Sequence, residues 1–132
     1  MMELDAKTIQ HYRKCSIPTL VAKATRHFNA YIRERDGRLP CITCKQYRYL
    51  QAGHFYSAGK YPRLRFNEDN VNGQCIPCNY YGSGDLLNYR NRLIEKIGIE
   101  RVAALDDVAM IRGFKWNRLE LIYIIEKYKK YK

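Results

Sequence analysis

Apolar residues early in the chain fall at Leu20, Val21, Ala24, Phe28, Tyr31 and Ile32. That spacing of three and four predicts an amphipathic helix. Ser16 followed by Ile17-Pro18 supplies an N-cap and a first-turn proline. Lys23, Arg26, Arg33 and Arg35 lie off the stripe, leaving a basic outer face. Asp36-Gly37 is expected to stop the helix, with glycine taking a left-handed conformation. A shorter helix is expected over about residues 5–14.

The helical period breaks between Leu39 and Cys78, where Pro40, Gly53, Gly59, Pro62, Gly73 and Pro77 divide the chain into pieces too short for long helices. Tyr47 to Tyr56 is expected to form two short strands around Gly53-His54, Ser57 to Pro62 a loop, and Phe66 to Val71 a lead into the next segment. Helical patterning resumes after Asn79. Ser83-Gly84-Asp85 offers capping residues, and Leu86, Leu87, Leu93, Ile94 and Ile97 an apolar face that ends at Gly98. A short helix from Ile99 to Leu105 follows. Asn117 and Glu120 then have capping-box spacing ahead of Leu121, Ile124, Ile125, Tyr128 and Tyr131. The pattern predicts an α+β fold, mainly helical, in one domain of three parts: an N-terminal helical arm (1–38), a central core (39–98) and a basic helical extension (99–132).

Length and charge narrow the partners. A chain of 132 residues, 46% hydrophobic, suits one compact domain and not a disordered segment. No apolar run approaches a membrane span, and the N-terminus has no secretory pattern, so no membrane partner is expected. The net charge of +11 points to a polyanion, nucleic acid first. The excess is uneven: residues 1–40 carry eight basic and four acidic side chains, 41–78 five and two, 79–111 four and five, and 112–132 seven and two. Solubilising surface charge is the plainer alternative. Of five cysteines, Cys15 stands apart and reads as a small packed apolar group.

The other four carry chemistry. Cys41/Cys44 and Cys75/Cys78 are two C-x2-C pairs at the spacing of a tetrahedral zinc site. Four thiolates close the coordination shell, so this zinc would be structural. Thiols at metal spacing, and not in a disulfide framework, suit a reducing compartment. His54 lies between the pairs, Asn70 precedes Cys75 by five residues, and Asn79 follows Cys78 directly. This arrangement resembles the HNH, or ββα-metal, nuclease motif, and implies a small zinc-bound core of that type between long flanking helices. In it Asn70 would brace the loop, His54 would act as general base, and Asn79 would offer an amide oxygen to a catalytic Mg2+ or Mn2+. HNH nucleases commonly carry aspartate or another metal ligand just before the histidine, where this chain has Gly53. Glu68, Asp69, Asp85, Gln51 and His54 itself are the remaining candidates to complete that metal site.

Pro40-Cys41-Ile42-Thr43-Cys44, Ala52-Gly53-His54-Phe55, Leu64 to Glu68, Asn70-Val71, Gln74-Cys75, Cys78-Asn79 and Ser83-Gly84 together resemble the phage NinG/Rap recombination endonucleases. Tyr89-Arg90, Leu93-Ile94 and Ile97-Gly98 extend the likeness, which covers about residues 20–105. That family also reads Ala-Gly before its histidine. The layout is similar to endonuclease VII, with Gly53 in place of its aspartate. The resemblance implies a metal-dependent endodeoxyribonuclease of the Holliday junction resolvase type, acting on D-loops and four-way junctions in the bacterial host cytoplasm. A recombinase is a further expected partner. Lys60, Arg63 and Arg65, between His54 and Asn70, are candidate DNA-binding residues, with Arg65 alternatively pairing a carboxylate such as Glu68. Arg26, Arg33, Lys127, Lys129, Lys130 and Lys132 are candidates for the duplex arms. A symmetric junction has two strands to cut, so a homodimer is expected. Two rival readings stand beside this one: a non-catalytic zinc-stabilised DNA-binding module, and a sequence-specific HNH endonuclease.

Overall fold

The computed structural model describes residues 3–80 and 85–132. Among these, six α-helices and one two-stranded sheet make a small α+β architecture: α1 (Ala6–His11), α2 (Ile17–Asp36), β1 (Leu50–His54), β2 (Val71–Cys75), α3 (Ile76–Tyr80), α4 (Leu86–Ile97), α5 (Ile99–Ala109) and α6 (Arg118–Tyr128). A 3-10 turn at Pro62–Leu64 lies between the strands. None of the helices is long and apolar enough to cross a membrane. The chain divides into two compact units, residues 1–31 with 116–132, and residues 32–115.

The first unit holds α1, most of α2, and α6. Asp5 caps α1 by accepting from the Thr8 N–H at 2.7 Å, and Ser16 Oγ accepts from the Thr19 N–H at the start of α2. The expected stripe buries Leu20, Ala24 and Phe28. The Asn117–Glu120 capping box opens α6 with both reciprocal bonds formed. Leu121, Ile122, Ile125 and Tyr128 form the buried face of α6. Ile122 takes a core place that the sequence pattern gave to Ile124. Phe28 meets Tyr128 edge to face at 5.1 Å between ring centroids.

The second unit, residues 32–115, holds the four paired cysteines, His54, Asn70 and Asn79. The last turn of α2 enters it, and the helix stops at Asp36 for a reason other than the one expected. Gly37 has no left-handed backbone. Glycine is needed there because a Cβ would stand 2.8 Å from the Arg33 carbonyl oxygen. The two strands expected within Tyr47–Tyr56 are one strand, β1. Its antiparallel partner is β2, in the register Leu50 with Cys75 through His54 with Val71. Long-range pairing prevails because all five β2 residues are buried, whereas Tyr47 and Tyr49 stay exposed.

Helix α4 also departs from its expected face. Leu86 and Leu87 are exposed, while Tyr89 and Leu93, four residues apart, are fully buried. Ser83 and Gly84 lie outside the described residues, and Asp85 makes no side-chain capping bond. Gly98, at φ 91°, ends α4 and leads directly into α5, which runs past the expected stop at Leu105 to Ala109. Ile42, Phe55, Leu64, Tyr89, Leu93, Val102, Leu105 and Ala109 form the core of this unit.

Candidate functional site

The four predicted cysteine ligands converge. The sulfurs of Cys41, Cys44, Cys75 and Cys78 all lie within 4.8 Å of one another, and Cys44 Sγ is 3.8 Å from Cys75 Sγ. A tetrahedron with metal–sulfur bonds of about 2.3 Å has edges of about 3.8 Å, so the four thiols fit a metal ion such as zinc. Leu50 packs against the cluster. The first knuckle requires a left-handed residue after Cys44, and Lys45 takes that conformation at φ 65°. For a residue other than glycine the strain is on the order of 1–2 kcal/mol.

Backbone amides prepare this site for negative sulfur. Burial pushes the Cys41 thiol up, but the N–H groups of Cys44, Cys75 and Thr43 more than offset it and bring it down to about 7. The Thr43 and Cys75 amides reach Cys41 Sγ at 3.4 and 3.3 Å. Cys75 and Cys78 are held above the usual thiol range, by burial first. For Cys78 the neighbouring sulfurs add to the rise. Four sulfurs this close ionise together only around a cation.

His54 ends β1 and is largely enclosed. Its Nε2 lies 3.0 Å from the Arg65 carbonyl oxygen. A carbonyl can only accept, so Nε2 carries the proton and the lone pair of the neutral ring sits on Nδ1. Burial lowers the His54 pKa from its usual value; the Arg65 guanidinium lowers it further, and the bond to the Arg65 carbonyl opposes in part. Enclosure and the Nε2 bond both favour the neutral ring with its proton on Nε2.

Asn70 ties the loop that carries Arg65. Its fully buried amide donates to the carbonyls of Tyr56 and Leu64 at 2.9 and 3.0 Å and accepts from the Tyr56 N–H at 2.9 Å. Asn70 also accepts the Phe55 N–H on its own carbonyl. Three of the four side-chain hydrogen-bonding positions of the amide are used on backbone.

Asn79 sits in α3 one residue beyond Cys78, and its Nδ2 donates to Gln51 Oε1 at 3.0 Å. That bond leaves Asn79 Oδ1 as a hard oxygen donor of the kind Mg2+ prefers. Gln51 and His54 stand three positions apart on β1, about 10 Å at strand rise. Two of the other candidate carboxylates are engaged elsewhere: Asp69 pairs with Arg101, and Asp85 accepts from Asn88. Among the described residues, the four cysteines are the one group of three or more His, Cys, Asp or Glu side chains placed to share an ion.

The family model described as Bacteriophage Lambda NinG protein matches residues 5–132. This chain belongs to the NinG family. Protein ninG of Salmonella phage P22 is 46% identical over 90 residues, covering 67% of this chain and 43% of the relative. Protein ninG of Escherichia phage lambda is 44% identical over 88 residues, covering 65% and 43%. Protein ninG of Escherichia phage 933W is 43% identical over 88 residues, covering 65% and 44%. The matched region spans less than half the length of these relatives. No solved structure matches the chain.

Two supports of this candidate site were missed in the sequence. Tyr89 donates its hydroxyl to the Gly53 carbonyl at 2.7 Å and accepts from Asn72 Nδ2 at 3.2 Å, bracing the strand one residue before His54. The four-residue step from Tyr89 to Leu93 and on to Ile97 was the signal for it. The second support is a polar network around the buried Asp36 and Asn72. Arg35, expected on a solvated face, donates to the Glu68 and Val71 carbonyls and to Asp36. Asp36 accepts from the Gly73 N–H and, with Asn72, from Lys96. The three candidate DNA-binding side chains lie over aromatic rings: Lys60 over Tyr61 at 5.7 Å, Arg63 over Phe114 at 5.0 Å, and Arg65 over Phe66 at 5.9 Å. Lys60 and Arg63 are exposed. Arg65 is the one whose carbonyl holds His54.

Proposed function

We propose that this chain is a metal-dependent endonuclease that hydrolyses phosphodiester bonds in branched DNA, such as Holliday junctions and D-loops. The carrying observation is the bond from His54 Nε2 to the Arg65 carbonyl. It makes a neutral imidazole present Nδ1 as acceptor, the form a general base needs. The Asn70 brace, the thiol cluster and the charge of +11 support the reading.

In this reading His54 Nδ1 takes a proton from water as the water oxygen attacks phosphorus. The bond from phosphorus to the 3′ oxygen breaks, that oxygen takes a proton from solvent to become a hydroxyl, and the phosphate stays on the 5′ side. Lys60, Arg63 and Arg65 hold the scissile phosphate and its neighbours. Asn79 Oδ1 would hold Mg2+ or Mn2+, which supplies Lewis-acid charge at the phosphoryl and leaving oxygens when bound. Two copies on a symmetric junction would supply one site per strand.

A second reading, a zinc-stabilised DNA-binding module without catalysis, draws on Gly53, which has no side chain to hold a metal. One assay separates the two. Labelled four-way junctions and linear duplexes of matched sequence are incubated with Mg2+ and either the parent protein or His54→Ala. Nicking of junctions by the parent, and a loss of at least about a hundredfold in the variant, supports the endonuclease. Equal binding with no nicking by either supports the module. Preferred cutting of the linear duplex would instead indicate a sequence-reading enzyme.

A further inference from the structure

Among the described residues of the second unit, the most exposed aromatic side chains lie close in sequence to the thiol cluster. Tyr47 is 78% exposed and Tyr49 71%, and both precede Leu50, which packs on the cysteines. Tyr80, 70% exposed, follows Cys78 by two residues on α3. Rings left in water beside a rigid cross-link cost solvation and mark a surface built to be covered. The charge around them selects what covers it. Residues 37–67 contain no acidic side chain and six basic ones. Lys45 and Arg48, both exposed, flank Tyr47. Arg48 donates twice to Gln46 Oε1, and Lys45 reaches Glu95 at 3.3 Å.

We infer that Tyr47 and Tyr49, with Lys45 and Arg48, form a stacking platform for unpaired nucleotides. This rests on the reading above that DNA is the partner, and it names the part of the DNA that this face takes. The segment from Lys45 to Tyr49 has neither helix nor turn and leads straight into β1. At strand rise, positions 47 and 49 are about 6.6 Å apart, close to twice the roughly 3.4 Å step between successive bases of a strand. Every base offers a π face once it is unpaired, whereas a duplex hides those faces in its own stack. The platform therefore favours the single-stranded parts of a D-loop or an opened branch point over duplex arms. The cations hold the backbone on either side.

The test is binding without added divalent metal, so that cutting plays no part. Fluorescence anisotropy is measured with a labelled oligothymidine and a labelled hairpin duplex of equal charge. The parent protein, Tyr47→Ala/Tyr49→Ala and Tyr47→Phe/Tyr49→Phe are compared. The alanine pair is expected to lose at least about fivefold in affinity for the single strand and less than about twofold for the duplex, with the phenylalanine pair close to the parent. Equal weakening on both DNAs, no weakening, or a phenylalanine pair as weak as the alanine pair would overturn the platform. Failure of the nuclease reading shows separately, as intact junctions in Mg2+, and leaves these affinities standing.

Discussion

Adding a single methyl group at position 53 probes why this strand carries glycine where HNH nucleases commonly carry a metal-ligating aspartate. A Cβ there would lie 2.2 Å from Gln74 Oε1 and 2.6 Å from Gln74 Cβ. Gln74 is fully buried, and its amide donates to Thr43 Oγ1 at 2.9 Å inside the thiol knuckle. It cannot swing aside without breaking that bond. Overpacking costs about 1–3 kcal/mol, and stranding the buried amide and hydroxyl adds about 1–3 kcal/mol. Gly53→Ala is therefore expected to lose about 2–6 kcal/mol of a total stability of order 5–15 kcal/mol. Gly53→Asp should lose at least as much without any gain in nicking. Urea unfolding of metal-loaded protein, followed by circular dichroism, measures the loss. The double variant Gly53→Ala/Gln74→Gly removes the clashing Cβ, so its loss should fall short of the sum of the single losses by about 1 kcal/mol or more. A Gly53→Ala protein within about 0.5 kcal/mol of the parent, or strictly additive losses, would refute the steric argument.

Two further outcomes follow from the same unit. Cys78→Ser should lower bound zinc, measured by elemental analysis, from about one per chain to well below one, and should abolish cooperative unfolding of the central unit; a metal-free parent that melts as the loaded protein does would remove the thiol cluster from the stability of the fold. Asp36 gives a pH signature. Burial alone would raise its pKa, but the bonds from Arg35 and the Gly73 N–H and the charge of Lys96 outweigh it and hold the carboxyl below the usual aspartate value. The stability it lends is complete above an unfolded pKa of about 3.9 and drains away as pH falls through the lower folded value. The gap in urea stability between the parent and Asp36→Asn should be flat from about pH 7 to 5 and should shrink below about pH 4; a gap that persists unchanged to about pH 2 would contradict it.

What could be read in the sequence follows the range of the interactions. The cysteine pairs, the Ser16 and Asn117 caps and the α2 stripe depend on neighbours within a few residues, and the structure keeps them. The partner of β1 lies about twenty residues away, and nothing local in Tyr47–Tyr56 tells a hairpin from one strand awaiting β2. Arg35 looked solvated because it falls off the helical stripe. Its guanidinium instead reaches backbone carbonyls of Glu68 and Val71, more than thirty residues on. Tyr89 was displaced from the expected face by Leu86 and Leu87, since hydropathy alone ranks leucine above a tyrosine whose hydroxyl is needed at Gly53.

The same distinction bears on the chemistry. A motif names the residue types of a site, but the state of each group is set by contacts the motif does not contain. His54 is recognisable from its place between the cysteine pairs, yet its tautomer depends on the backbone of Arg65, a group every residue type possesses. The loop bearing that carbonyl is tied by Asn70, which bonds to Leu64 directly before Arg65 and to Tyr56 just past the end of β1, and Asn70 leads into β2, where Arg35 and Asp36 fix Val71 and Gly73. The electronic state of one imidazole is thus the end of a chain of hydrogen bonds running back to the end of α2. Glycine at 53 belongs to that arrangement, because the space a ligand there would occupy is filled by the buried Gln74 that joins β2 to the knuckle. With Gln74 occupying that space, β1 has no room for a carboxylate directly before His54.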